Sequence, residues 1–282
     1  MPVPISNNTT GTLNKISQTQ QSLGSSLSKL SSGQRITKAA DDAAGLAISE
    51  KLGAQNASIE QAIKNISAGG AMARTAEGGI GQISELLTRG RELAVQSANG
   101  TLSAQQRQTL NTEFSSIKSE IDRITQTTEF NGQKLLTGDL GPNAANPVTI
   151  QAGTGNTPAD RIALNGVQAM DVATLGISSS AIDTPANALA SLQTIDAAMQ
   201  ATSQNRAAVG AIGNRLTSAA QNLSVTNENL MAADSQIRGL DYASEVSKTA
   251  TANVALRAGI SALKEGLKSN ERAIGSLLNL KG

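Results

Sequence analysis

Residues 209–240 read VGAIGNRLTSAAQNLSVTNENLMAADSQIRGL, a stretch with regularly spaced apolar positions. Ten of its positions follow one another in alternating steps of three and four residues. The positions are Val209, Ile212, Leu216, Ala219, Leu223, Thr226, Leu230, Ala233, Ile237 and Leu240. This spacing places mostly apolar side chains along one side of a long α-helix, where they form a seam for a second helix. The sequence therefore predicts a long helix that packs lengthwise against other helices.

The same spacing occurs at both ends of the chain. We call two sets of residues the terminal seams: Leu13, Ile16, Leu23, Leu27 and Leu30, and Leu256, Ile260, Leu263, Leu267, Ile274 and Leu277. Between about residues 129 and 184 the pattern stops, and Gly, Pro, Asn and Thr become frequent. The predicted fold is mainly α. Its N- and C-terminal segments form a long antiparallel helical rod or coiled coil, with a small β-hairpin and loop insert in the middle.

The composition excludes several classes of function. Only 1% of the 282 residues are aromatic, so Leu, Ile, Val and Ala must do the packing, which suits helix seams. The net charge is +1 without a basic stripe, which argues against a nucleic-acid partner. His and Cys are absent, which removes the usual nucleophile–base pairs and zinc ligands. We expect no catalytic residue, no cofactor and no metal site, and hence no enzyme.

The first residues, MPVPISNN, lack the basic and apolar regions of a secretory signal. No apolar run approaches the roughly 20 residues that span a bilayer, so we expect no membrane insertion. By these rules the protein is cytosolic or leaves the cell without a cleaved signal.

Short signals predict where the helices begin and end. Gly33 is typical of the residue after a helix, and Asp41-Asp42 is placed to cap the next one. The alternative for this carboxylate pair, a metal or acid–base site, lacks a third ligand or a nucleophile nearby. Ser103-Ala104-Gln105-Gln106 has the form of a capping box and predicts a third helix that ends near Thr128. Thr184-Pro185 predicts the start of the long helix that follows the insert.

The insert carries two β signals. Asn131-Gly132 is a favoured two-residue hairpin turn, and residues 148–151 alternate as a short strand does. We expect substitutions at Asn143–Asn146 to be tolerated, as at a loop tip. Glycine pairs at Gly69-Gly70 and Gly78-Gly79 weaken the helix that the sequence predicts from about residue 43 to residue 99. Either the apolar seam of that helix compensates for the loss, or the glycines permit close helix packing.

Several longer motifs resemble the bacterial flagellins. They are LSSGQRI at 30–36, DDAAGLAIS at 41–49, TAEG at 75–78, RELAVQSANG at 91–100, TEFNGQKLL at 128–136 and DYASEV at 241–246. The resemblance covers most of residues 1–140 and 185–265, and the short insert corresponds to a short form without large outer domains. It implies an inner domain of terminal helices at 1–44 and 241–282, a helical rod at 45–135 and 185–240, and a variable insert at 136–184.

The resemblance also implies a function. A flagellin polymerises with copies of itself into the flagellar filament for swimming motility. The type III flagellar apparatus exports it unfolded, which places it outside the cell. Its implied partners are the filament cap, the hook–filament junction proteins and an export chaperone. The alternatives are a hook–filament junction-type protein and a surface adhesin.

Four residues match the family's contacts with the innate receptor Toll-like receptor 5. They are Arg89, Leu93, Gln96 and Glu113. The resemblance implies that the monomer binds this receptor. By spacing alone they belong to a solvated helix face with charge pairs three and four residues apart.

Overall fold

The computed structural model describes residues 5–141 and 147–279, with side chains described from residue 9, and omits those of 273 and 276–279. Five long helices dominate the described chain, so the predicted mainly α fold is confirmed. They are α1 (Ile5–Ser32), α2 (Ala43–Ala98), α3 (Ala104–Thr127), α4 (Pro185–Arg238) and α5 (Tyr242–Asn279). The segment Asn143–Asn146, which the sequence predicts to tolerate substitution, lies outside the described residues.

The helix ends follow the predicted signals. Ser103 caps α3 through a complete capping box, in which the Ser103 hydroxyl accepts from the Gln106 N–H at 3.3 Å. Thr184 caps α4 through its hydroxyl, which accepts from the Asn187 N–H at 3.2 Å. Gly33 follows α1 with a φ of 69°, the left-handed conformation that favours glycine.

The carboxylate pair at residues 41 and 42 has two different structural roles. Asp42 caps α2, because its Oδ1 accepts from the Gly45 N–H at 2.8 Å. Asp41 instead closes the preceding turn, where its Oδ2 accepts from the Thr37 and Lys38 N–H groups, both at 3.1 Å. These bonds, led by those from Thr37, hold the pKa of Asp41 below its ordinary value. The prediction that both residues cap the helix was therefore correct for Asp42 and wrong for Asp41.

Within residues 5–141 and 147–279, four short strands form two antiparallel hairpins. In the first, β1 (Glu129–Phe130) pairs with β2 (Gln133–Lys134). Asn131 and Gly132, with φ values of 50° and 79°, form the predicted two-residue turn. In the second, β3 (Thr149–Gln151) pairs with β4 (Arg161–Ala163). The sequence predicts β3 but not β4.

The chain divides into two compact units. The first comprises residues 1–54 and 229–282, and the second comprises residues 55–228. The division into inner domain, rod and insert that the resemblance implies stays a prediction. Both α2 and α4 contribute residues to each unit.

The insert shares the core of the second unit. The helices supply fully buried side chains such as Ile80, Ile83 and Phe114, and the insert supplies Met170, Ile177 and Ile182, each at most 2% exposed. A common hydrophobic cluster joins these residues. The insert is thus part of the same packed body as the helices around it.

Side chains of α3 bind the irregular backbone of the insert. Asp122 accepts from the Val172 N–H at 2.9 Å, and Asn111 accepts from the Ile182 N–H at 2.9 Å. Thr125 donates to the Met170 carbonyl at 3.1 Å, and Lys118 donates to the Ser180 carbonyl at 2.8 Å. Backbone groups that lack a helix or sheet partner need such substitutes when they are buried.

Two of the helix glycines are explained by contact with the insert and its flanks. A Cβ on Gly69 would lie 2.9 Å from Cγ1 of Ile150 in β3. A Cβ on Gly79 would lie 2.8 Å from both Leu136 and Thr128. The glycines therefore admit close packing as expected, but the elements that approach are non-helical.

Candidate assembly surface

Helices α1 and α5 pair in antiparallel fashion within the first unit. A Cβ on Gly259 of α5 would lie 3.1 Å from Ile16 of α1, and a Cβ on Gly266 would lie 3.9 Å from Thr9. Residue numbers thus rise along one helix as they fall along the other. Gly259 lets the two backbones approach closely, whereas the contact at Gly266 is of ordinary length.

The pairing uses only half of the terminal seams. Ile16, Leu23, Leu30, Leu256 and Leu263 are half-buried, and we call these five residues the inner seam. Between them lie small or polar half-buried side chains, including Thr12, Thr19, Ser26, Thr249 and Ala252. The contact between α1 and α5 is therefore a mixture of aliphatic and small residues.

The other half of the terminal seams is exposed. Leu13, Leu27, Ile260, Leu267 and Ile274 retain 51%, 52%, 50%, 52% and 58% of their accessible surface, and we call them the outer seam. The three α5 members recur every seven residues, so they lie along one side of that helix. The side chain of Leu277 lies outside the described residues.

Burial in the two terminal helices is incomplete along their whole described length. Among the side chains of residues 9–32 and 242–272, only Glu245 is buried. In the second unit, by contrast, α2, α3 and α4 bury side chains completely. Large aliphatic residues that are half-exposed at intervals along both helices leave apolar surface in contact with water. A surface of this kind is typical of an interface that further chains complete.

Glu245, the one buried residue among the described side chains of this pair, is charged. Its carboxylate has partners on both helices: the Ser26 hydroxyl of α1 and the Lys248 ammonium of α5, the latter at 3.1 Å. The hydrogen bond from Ser26, then that from Lys248, holds the pKa of Glu245 below its ordinary value. Lys29 adds a weaker electrostatic contribution. Glu245 therefore fixes the position of the two helices by a charged hydrogen-bond network.

The chain segment after α1 binds the segment before α5. The Arg35 N–H donates to the Arg238 carbonyl at 2.7 Å, and the Arg35 guanidinium donates to the Ile237 carbonyl at 2.7 Å. Gln34 and Gly239 form an isolated antiparallel bridge. The Tyr242 hydroxyl lies 2.7 Å from the position of a Cβ on Gly33. These contacts join the C-terminal end of α1 to the N-terminal end of α5.

The four predicted receptor residues do not share one environment. The Arg89 guanidinium binds Glu113 of α3 at 2.7 Å and Glu92 at 3.2 Å, and all three side chains are largely exposed. Gln96 is also exposed. Leu93 is only 1% exposed, because it packs into the core of the second unit. The structure thus brings Arg89 and Glu113 together at the surface and keeps Leu93 beneath it.

The described residues offer neither a metal site nor a membrane span. No group of three or more Asp or Glu side chains converges in a way that would hold a metal ion. None of the helices there combines the length and the hydrophobicity needed to cross a bilayer.

Sequence spacing alone misses the division of the terminal seams. Steps of three and four mark both the inner and the outer seam, because both lie on adjacent sides of the same helices. The seven-residue recurrence of Ile260, Leu267 and Ile274 is a signal that could have separated them. The half-buried threonines and serines of the inner face carry no apolar signal at all.

Comparison with known proteins identifies the family. Residues 5–140 match the bacterial flagellin N-terminal helical region, and residues 192–269 match the bacterial flagellin C-terminal helical region. A flagellin of Halalkalibacterium halodurans is 40% identical over 228 residues, which cover 81% of this chain and 82% of that one. The flagellar filament 30.7 kDa core protein of Treponema maltophilum is 38% identical over 232 residues, covering 78% and 80%.

One solved structure supports the fold alone. A putative flagellar hook-associated protein from Vibrio parahaemolyticus superposes with a TM-score of 0.59 at 19% identity, over 71% of this chain and 100% of that one. Two family regions in the expected order, together with relatives near 40% identity over most of their length, decide the question. The chain belongs to the bacterial flagellin family.

Proposed function

We propose that the chain is a subunit that polymerises with copies of itself into the flagellar filament. The observation that carries this proposal is the outer seam, five large aliphatic residues that are half-exposed on paired helices. Covering each of them removes apolar surface from water, worth roughly 25 cal/mol per Å². Other chains can supply that cover, since the described parts of the terminal helices bury so little. Copies of the same chain provide it with the regularity that a helical polymer needs.

Truncation tests this proposal. Deletion of residues 1–35 or 245–282 removes one terminal helix and leaves the second unit complete. Each truncated protein should keep a helical far-ultraviolet spectrum and fail to elongate filament seeds in electron micrographs. Filaments of either truncated protein would contradict the proposal. A truncated protein that lost its helical spectrum would instead show that the second unit depends on the terminal helices.

The proposal includes the route and the partners that the family resemblance implies. The chain leaves the cell unfolded through the flagellar type III apparatus, which locates it in the extracellular flagellum. An export chaperone covers its terminal helices beforehand, and the cap and hook–filament junction proteins contact the growing polymer. The exposed outer seam supports the chaperone step, since such apolar surface needs cover before assembly. Loss of the protein from culture supernatant in an export-deficient strain tests the route.

We also propose that the monomer binds Toll-like receptor 5 through the surface that carries Arg89, Gln96 and Glu113. Their exposure, and the pairing of Arg89 with Glu113, support this assignment. Leu93 would then contribute indirectly, because its buried side chain holds α2 and its exposed residues against the core. In a cell reporter assay, Arg89→Ala with Gln96→Ala should reduce the signal without changing stability. Leu93→Ala should reduce stability as well. Full signalling by the Arg89→Ala/Gln96→Ala protein would contradict the assignment.

A junction protein at the base of the filament is the alternative function. The likeness to the hook-associated protein concerns the fold only, at 19% identity. The relatives near 40% identity are named a flagellin and a filament core protein, which favours the filament role. A junction protein would add to seeds without extending them. Continuous elongation in the seeding experiment would distinguish the two.

A further inference from the structure

The chain contains three Asn-Gly dipeptides in three different surroundings. Asn99-Gly100 lies in the turn between α2 and α3, Asn131-Gly132 forms the turn of the first hairpin, and Asn165-Gly166 follows β4. Asparagine is a thermolabile residue, and a following glycine has no side chain to hinder attack of its backbone nitrogen on the asparagine carboxamide. The three sites share this local chemistry, so differences between their reaction rates would reflect their surroundings.

Asn99 differs from the other two in the hydrogen bonds to its carboxamide oxygen. The Thr101 N–H and the Thr101 hydroxyl both donate to Oδ1, each at 3.1 Å. In the described part of the chain, no such bond reaches the carboxamide oxygen of Asn131 or Asn165. Two donors on a carbonyl oxygen stabilise the negative charge that develops there during nucleophilic attack.

We propose that Asn99 is a site of spontaneous covalent modification, which the Thr101 donors promote. The Gly100 nitrogen gives up its proton to solvent base and attacks Cγ of Asn99. The bond from Cγ to the carboxamide nitrogen breaks, and ammonia leaves with a proton from water. The resulting five-membered succinimide is opened by water to aspartate or isoaspartate. Water is the only other reactant.

The location gives the modification a structural consequence. Arg107 is buried, and its guanidinium donates to the Asn99 carbonyl at 2.9 Å and to the Ser97 carbonyl at 3.0 Å. A carboxylate at residue 99 lies at the C-terminal end of α2, where the helix dipole disfavours negative charge. Isoaspartate also lengthens the backbone by one carbon and displaces the carbonyl that Arg107 binds. The turn between α2 and α3 therefore weakens as the protein ages.

The test follows the three sites in the intact chain at mildly alkaline pH. Trypsin separates them into different peptides, and mass spectrometry detects the exchange of an amide for an acid. Asn99 should react fastest in the folded protein, and the three rates should converge in urea. Thr101→Val removes the hydroxyl donor and keeps the side-chain shape. It should slow the reaction at Asn99 about 2- to 10-fold and leave the other two sites unchanged.

Gly100→Ala is the matched control. A Cβ at this position meets no atom within 4 Å, so the turn accommodates it, and the methyl group hinders the attack. This variant should keep its helical spectrum and lose most of the modification at Asn99. Faster reaction at Asn131 or Asn165 in the folded chain would overturn the proposal. An unchanged rate at Asn99 in the Thr101→Val protein would overturn it as well.

Discussion

Gly259 of α5 lies directly against Ile16 of α1. A Cβ atom on Gly259 would come within 3.1 Å of Cγ1 of Ile16, closer than side chains normally approach. At this point the side chain of Ile16 alone separates the backbones of the two helices. Ile16 belongs to the inner seam, so this contact sets the spacing of the terminal helix pair. The spacing in turn decides how the outer seam is presented.

Enlarging residue 259 should separate α1 from α5. Gly259→Val places two methyl groups where Ile16 already lies, at a cost of about 1–3 kcal/mol, as for other overpacked sites. Hydrogen exchange of α1 and α5 should become faster, while exchange in the second unit stays unchanged. Gly24→Ala is the control, because a Cβ there meets nothing within 4 Å. Equal exchange rates in the Gly259→Val protein and the unmodified protein would contradict the proposed packing.

Removal of the Arg107 guanidinium should destabilise the second unit. Arg107→Ala leaves the buried Ser97 carbonyl without its donor, and loss of a charged hydrogen bond costs about 2–3 kcal/mol. Arg123→Ala on the same helix is the control, because Arg123 makes an exposed pair with Glu120 that contributes under about 1 kcal/mol. Urea unfolding of both variants measures the difference. Equal losses of stability would show that the buried hydrogen bonds of Arg107 contribute no more than the exposed ion pair of Arg123.

The stability of the terminal helix pair should depend on pH through Glu245. Because its folded-state pKa is lowered, Glu245 stabilises the fold above the pKa of the unfolded chain, about 4.3 for glutamate. That contribution is lost as the pH falls through the lower, folded-state pKa. Glu245→Gln removes the charge at every pH. The Tm difference between the two proteins should be constant from neutral pH to about pH 5 and shrink in more acidic solution. A difference that does not change with pH would rule out this role.

Local signals in the sequence were sufficient to predict the helices and one hairpin. The capping box at Ser103, the Thr184-Pro185 pair and the Asn131-Gly132 turn each act within a few residues, so the sequence alone reveals them. The second hairpin was only half predicted. β4 is three residues long and is separated from β3 by residues 152–160, so nothing local marks it as a strand.

Features that depend on distant contacts were not predictable. Leu93 is next to charged residues in the sequence, yet tertiary packing buries it against other helices. The two carboxylates at 41 and 42 differ because only one of them faces the first turn of α2. The inner and outer seams differ because a helix presents more apolar surface than one partner covers. Each of these distinctions needs the position of a second element.

Seeded growth of an outer-seam variant tests whether copies of the chain cover the outer seam. Ile260→Ser with Leu267→Ser removes apolar surface that is already exposed in the single chain, so the protein should keep its helical spectrum. Ile260→Val with Leu267→Met keeps the apolar character and is the control. Electron microscopy should show elongation of filament seeds by the control protein and none by the serine protein. Elongation of the serine protein at the unmodified rate would contradict the claim that copies of the chain cover the outer seam.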